Sequence, residues 1–188
     1  MGSGACTLSF LHIASALKLT AENRAARPQA YAEWKPAGAS YASRTMMMSG
    51  IIIAAFVIYH LLHYTVTAPS VNFTGQDFRT FTDAQGRHDI YKMMVVGFSN
   101  SWVSFFYIFA MALLCLHLSH GISAMFQSLG WKKHYYKPLI DNGARAVAIL
   151  IFAGYVSIPI AVKLGLGRDY AARTLNPAPL QIQRGEGR

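Results

Sequence analysis

Five histidines, His12, His60, His63, His117 and His120, stand inside apolar stretches of this chain. An imidazole in such a place either hydrogen-bonds across packed helices or ligates a metal. Ionisable groups at membrane depth are costly, and they face a bundle interior or a cofactor. One such histidine reads as a packing group, but five of them spread over three apolar stretches favour a cofactor. Haem iron gripped by one imidazole from each side fits this pattern. A bis-His iron has no open position, so it transfers electrons and does not bind oxygen. The pairs His60/His63 and His117/His120 also bring two rings near one helix face. Zn or Cu could use that spacing, but no carboxylate or thiolate stands nearby in the sequence to complete either set. His88 and His134 fall in polar linkers and are expected to be solvated. Cys6 and Cys115 lack Cys-x-x-Cys spacing, so they form no iron–sulfur set and read as small buried hydrophobes.

The elements that must position these histidines follow from composition. Of 188 residues, 53% are hydrophobic and 13% charged, and mean hydropathy is +0.27. Soluble domains carry roughly twice that share of charge. Disorder is excluded, and an ordinary soluble domain is disfavoured. The net charge of +9 lies in loops, without the basic run and interleaved aromatics that track a phosphate backbone, so nucleic acid is excluded as a partner. A spanning helix needs about 20 apolar residues. Residues 46–67, 93–130 and 139–166 each meet that length, and 4–19 is about four residues short. The expected architecture is therefore all-α: an integral membrane bundle of three full transmembrane helices preceded by a shortened one, over residues 1–167. Pro159 is expected to kink the last span, Lys163 to snorkel from its end, and the tail 168–188 to be unstructured.

Loop charge sets the orientation. Residues 18–44 hold five Lys/Arg and residues 132–145 hold four, whereas residues 68–92 hold three, balanced by three Asp. The positive-inside rule then places both basic linkers in the cytoplasm. At about 1.5 Å per residue, His60 lies roughly 14 Å from the outer end of its helix, and His117 roughly 35 Å from the outer start of its own. His12 lies roughly 15 Å from the first inner charge, Glu22. His12 and His117 are thus expected to share an inner layer, with His60 in a separate outer one.

The segments LHIASALKLTAENRAARP, YASRTMMMSG, HLLHYTVT, GRHDIYKMMVVGF and LHLSHGISAMFQSLGWKK resemble, in order, the single-chain dihaem cytochrome b558 anchor of succinate dehydrogenases and fumarate reductases. The resemblance runs over about residues 8–167 and implies a multi-pass subunit of a bacterial-type cytoplasmic membrane. Such a subunit is not itself catalytic; it serves the tricarboxylic acid cycle by passing electrons between an iron–sulfur subunit and membrane quinone. It implies haem b as cofactor, quinone as partner, and a flavoprotein and an iron–sulfur subunit docked on the cytoplasmic face. The family's ligands match His12, His60 and His117, the first histidine of each pair being the one carried over. His12 and His117 would hold the inner haem, and Ser43 and Arg44 would lie near haem propionates. The family's first helix has no counterpart here, which leaves the outer haem one protein ligand, His60. The basic residues Lys18, Arg24, Arg27, Lys132, Lys133 and Lys137 would belong to the docking face. The competing readings are a haem-free scaffold or transporter with packing histidines, and a truncated fragment without function.

Overall fold

A computed structural model of the chain describes residues 2–26 and 44–175. These fall into two compact units, residues 1–47 and 48–188. The first unit is dominated by α1 (Gly2–Ala25). It runs past the apolar stretch expected at 4–19 because the polar turn that follows is itself helix-forming. There Lys18 and Glu22 pair at 3.8 Å with i, i+4 spacing, and Thr20 Oγ1 donates to the Ala16 carbonyl at 2.8 Å. Arg24 in the last turn complements the helix dipole. Ser43 and Arg27 lie outside the described residues; Arg44 is exposed just ahead of the next helix.

Among its described residues the second unit is helical apart from its connections and one isolated bridge between Thr82 and His88. It comprises α2 (Met46–His60, whose first two residues fall in the first unit), a π-helical turn (Leu61–Thr65), α3 (Ile90–Ser99), α4 (Ser101–Ser128), α5 (Lys137–Lys163) and α6 (Arg168–Leu175). Among the described residues three helices are long and apolar enough to cross a membrane: α2 with its π-turn, α4 and α5. Ser49, near the start of α2, meets His117, late in α4, while His60, at the end of α2, meets Tyr107, early in α4. The two helices are therefore antiparallel, and the chain enters α2 at the end of the bundle where α4 hands over to α5.

The stretch 93–130, expected as one helix, is two. Asn100 breaks it with an extended backbone (φ −71°, ψ 125°). Its side-chain oxygen accepts from the amides of Trp102 and Val103, opening α4 as an N-cap, and its amide group donates to the Phe73 carbonyl at 2.9 Å. Helix α4 alone is about 42 Å long, which matches hydrocarbon plus both headgroup layers. His117 therefore lies about 24 Å from the start of its helix rather than the longer distance expected from an unbroken one. The short α3 packs most of its length inward, burying Met93, Val95, Val96 and Phe98. Lys163 does not snorkel free: its ammonium donates to the Ser99 carbonyl at 2.7 Å and to Ser101 Oγ at 2.9 Å, placing a cation on the open carbonyls that end α3.

Helices α4 and α5 approach closely through small residues, Ala110, Ala144 and Ala148, all buried, and Cys115 donates to the Ala148 carbonyl at 2.8 Å. The segment 66–89 forms a cap over one end of the bundle, held by buried Phe78 and Phe81 and by buried Asn72. Asp89 is also buried; it caps α3 by accepting from the Lys92 amide and receives the Tyr170 hydroxyl at 2.8 Å. That bond raises the Tyr170 phenol above its ordinary value. It also helps dock α6, so the tail expected to be unstructured from 168 is helical through Leu175. Gly167, at φ +81°, lets the chain turn into α6; a Cβ there would come within 2.6 Å of Val95.

A second glycine has a packing cause. A Cβ on Gly97 would overlap the hydroxyl of Tyr64. That ring is stacked on His63 at 4.0 Å between centroids, and its hydroxyl is buried. Replacing Gly97 with Ala is expected to destabilise the protein by about 1–3 kcal/mol, the usual cost of overpacking. Thermal unfolding in detergent checks this, and an unchanged midpoint would mean that Tyr64 is free to move.

Candidate functional site

Between α2, α3, α4, α5 and the cap lies a cavity of about 710 Å³. Its walls are apolar and aromatic: Phe56, Tyr64, Met93, Met94, Phe98, Met111, Tyr155 and Pro159 line it, with His60 and Tyr107 among them. The cap contributes two groups that can carry positive charge, Arg79 and His88. His88, expected to be only a solvated loop residue, thus borders the cavity while remaining exposed. An apolar volume with a few polar groups at one wall and basic groups at the other suits an amphipathic ligand with an acidic end.

The two histidines of the first pair have different surroundings. His60 is the last residue of α2, exposed and facing the cavity, with Nδ1 at 3.4 Å from the Tyr107 hydroxyl. His63 is fully buried, with Nδ1 at 3.1 Å from the same hydroxyl and Nε2 buried without a hydrogen-bond partner. The π-helical turn separates the two environments: the Val66 amide bonds back five residues to the Leu61 carbonyl at 2.7 Å. A single hydroxyl has one proton to give. If Tyr107 donates to His63 Nδ1, it accepts a proton from His60 Nδ1, and His60 then presents Nε2 as the unprotonated nitrogen.

His117 is held in the same manner at a different level. Its Nδ1 lies 3.1 Å from Ser49 Oγ, and Gly50 gives it room, since a Cβ there would sit 3.3 Å from His117 Cε1. Eleven residues separate Ser49 from His60 and ten separate Tyr107 from His117. By either helix the two levels are about 15 Å apart along the bundle. His120, three residues on, is partly buried. His12 lies midway along α1, in the separately described first unit. Among the described residues no group of three or more His, Cys, Asp or Glu side chains converges, so neither HxxH pair is completed there to a Zn or Cu set.

The basic groups also sort themselves. Lys132, expected on a docking face, is turned inward instead. It pairs with Asp141 at 2.6 Å, its side chain only 12% exposed, and both groups bond Ser123. On the rim of the cavity Arg79 forms a two-pronged contact with Asp77 at 3.0 and 3.1 Å. The Arg79 hydrogen bonds hold the Asp77 carboxyl below the usual carboxylate range. A carboxyl with a lowered value stabilises the fold above its unfolded value near about 4 and stops doing so as pH falls through the lowered one. Acidification below pH ~4 is therefore expected to release Arg79 and speed amide exchange at Arg79, whose N–H the same carboxylate accepts. Exchange that is independent of pH after correction for its intrinsic rate would contradict this.

Ser49, Gly50 and Tyr107 escaped the sequence reading. Only the small pair Ser49-Gly50 at the entry to an apolar helix hinted at a close approach; nothing distinguished Tyr107 from the other aromatic residues of α4.

Residues 20–158 match the family described as the succinate dehydrogenase/fumarate reductase transmembrane subunit. His60, His117, Ser49 and Tyr107 lie inside that range, and His12 lies before it. No curated protein and no solved structure matches the chain. The match covers well over half of the sequence, and it agrees with three membrane-crossing helices and with the motifs read along α2 and α4. The chain belongs to the succinate dehydrogenase/fumarate reductase transmembrane subunit family, and is a membrane anchor subunit of that kind.

Proposed function

We propose that this subunit carries haem b and passes electrons between an iron–sulfur subunit and membrane quinone. The observation that carries this reading is the matched setting of His60 and His117. Each is held through Nδ1 by a hydroxyl from the facing helix. A metal-ligating histidine typically donates its second ring nitrogen to such a partner, which fixes tautomer and ring orientation. The donor chemistry therefore fits haem iron at both levels, with His117 as one ligand of one haem and His60 as one ligand of the other. Bound haem supplies a reversible one-electron couple, which the protein tunes by ligand identity and burial.

The chain's own residues do the rest. Ser49 and Tyr107 aim the two imidazoles. The apolar walls around Phe56, Phe98 and Met111 exclude water. His88 at the rim suits a carboxylate through a hydrogen bond, while Arg79 beside it is engaged by Asp77. His12 as the second ligand beside His117, and Ser43 and Arg44 as propionate neighbours, come from the resemblance alone. So do quinone, the flavoprotein and iron–sulfur partners on the basic face, and a bacterial-type cytoplasmic membrane. A His12→Ala variant tests the ligand pairing: loss of the same spectral component that His117→Ala removes supports it, and an unchanged spectrum contradicts it.

A further inference from the structure

We propose that the cleft where α4 turns into α5 binds an anionic phospholipid, headgroup on Lys133 and Lys137 and acyl chain along the aromatic floor. The cleft measures about 330 Å³ and is lined by Phe126, Trp131, Lys133, Tyr136, Leu139 and Ile140. The turn is set by Gly130 at φ +73° and pinned from behind by the Lys132–Asp141–Ser123 cluster. That cluster matters for charge as well as shape. Residues 126–140 contain no Asp or Glu, and the acid that follows them, Asp141, is bound by Lys132 and Ser123, so Lys133 and Lys137 stand exposed in a locally basic stretch.

Depth favours lipid over a soluble ligand. Helices α4 and α5, each about 40 Å long, end within the headgroup layer. Trp131, Tyr135 and Tyr136 are exposed there, as aromatic residues are at a membrane interface. A basic pocket between helix ends at the cytoplasmic surface is the setting in which acidic lipid headgroups bind. Lys133 and Lys137, which the resemblance puts on the docking face, would also meet an acidic protein surface, but that surface would leave the apolar floor of the cleft unfilled.

The test uses the full chain in nanodiscs of phosphatidylcholine, doped with brominated phosphatidylglycerol or, at the same mole fraction, brominated phosphatidylcholine. The signal is the fluorescence component lost in Trp131→Phe. Phosphatidylglycerol is expected to quench it more strongly, and Lys133→Gln with Lys137→Gln should reduce that preference about fivefold per cation removed. Equal quenching by the two lipids, or a preference that survives both substitutions, overturns the proposal. So does a preference that disappears when the soluble subunits are added, since the cleft would then be a protein interface. Native mass spectrometry of the unaltered chain gives a second measurement if the double variant fails to fold: retained phosphatidylglycerol supports the site, and equal retention of both lipids overturns it.

Discussion

Replacing His117 with Ala is expected to abolish the haem held at the Ser49 level while leaving the Tyr107 level intact. The loss should be complete because His117 is the imidazole that the Ser49 level would supply, and the groups around it offer no substitute. Gly50 leaves space there, not a ligand, and Ser49 is a weak donor to iron. Ser49→Ala should do less, weakening affinity about 10–100-fold, because it frees the ring without removing it. His63→Ala should disturb packing, not ligation, since His63 is sealed from the cavity. Haem retained in full by His117→Ala would place the ligand elsewhere, with His120 the first residue to try.

The second large effect concerns stability. Asp141→Ala should destabilise the bundle by about 1–3 kcal/mol, between the values for exposed and for buried ion pairs, because this pair is partly buried. The Lys132 ammonium would remain almost buried, bonded only to Ser123. Pairing Asp141→Leu with Lys132→Met should recover most of the loss, because two apolar groups leave no stranded charge. A double-mutant cycle on thermal unfolding in detergent checks both arms. A loss of ~0.5 kcal/mol or less for Asp141→Ala would mark the contact as an ordinary surface pair.

Spans and their order were legible because twenty apolar residues in a row have few alternatives. The break at Asn100 was less visible. An apolar run on both sides of it looks continuous, and only the capping chemistry of Asn, satisfied by two amides and by the carbonyl of distant Phe73, shows that a helix starts there. The cap could not be foreseen from local pattern either, since its aromatic core, Phe78 and Phe81, packs against helices from both sides of it in sequence. Helix α6 was missed for the same reason: its anchor, Tyr170 on Asp89, joins residues 81 positions apart.

At the site, residue types located the histidines, and counting along helices predicted two levels. What counting could not give was the partner of each ring. Ser49 and Tyr107 act across helices, from positions whose own neighbourhoods look like any packed span. The division of labour within His60 and His63 was likewise hidden, because it depends on the π-helical turn that seals one ring inward while leaving the other to the cavity.

If this family member carries haem b on His117 and His60, the ligands show in its visible spectrum. The most direct measurement is the dithionite-reduced minus oxidised visible spectrum of the purified full chain beside its His117→Ala and His60→Ala variants. Expected are b-type bands in the unaltered protein, with a distinct component lost in each variant. A featureless spectrum from the unaltered chain, or identical bands in all three proteins, would contradict this assignment.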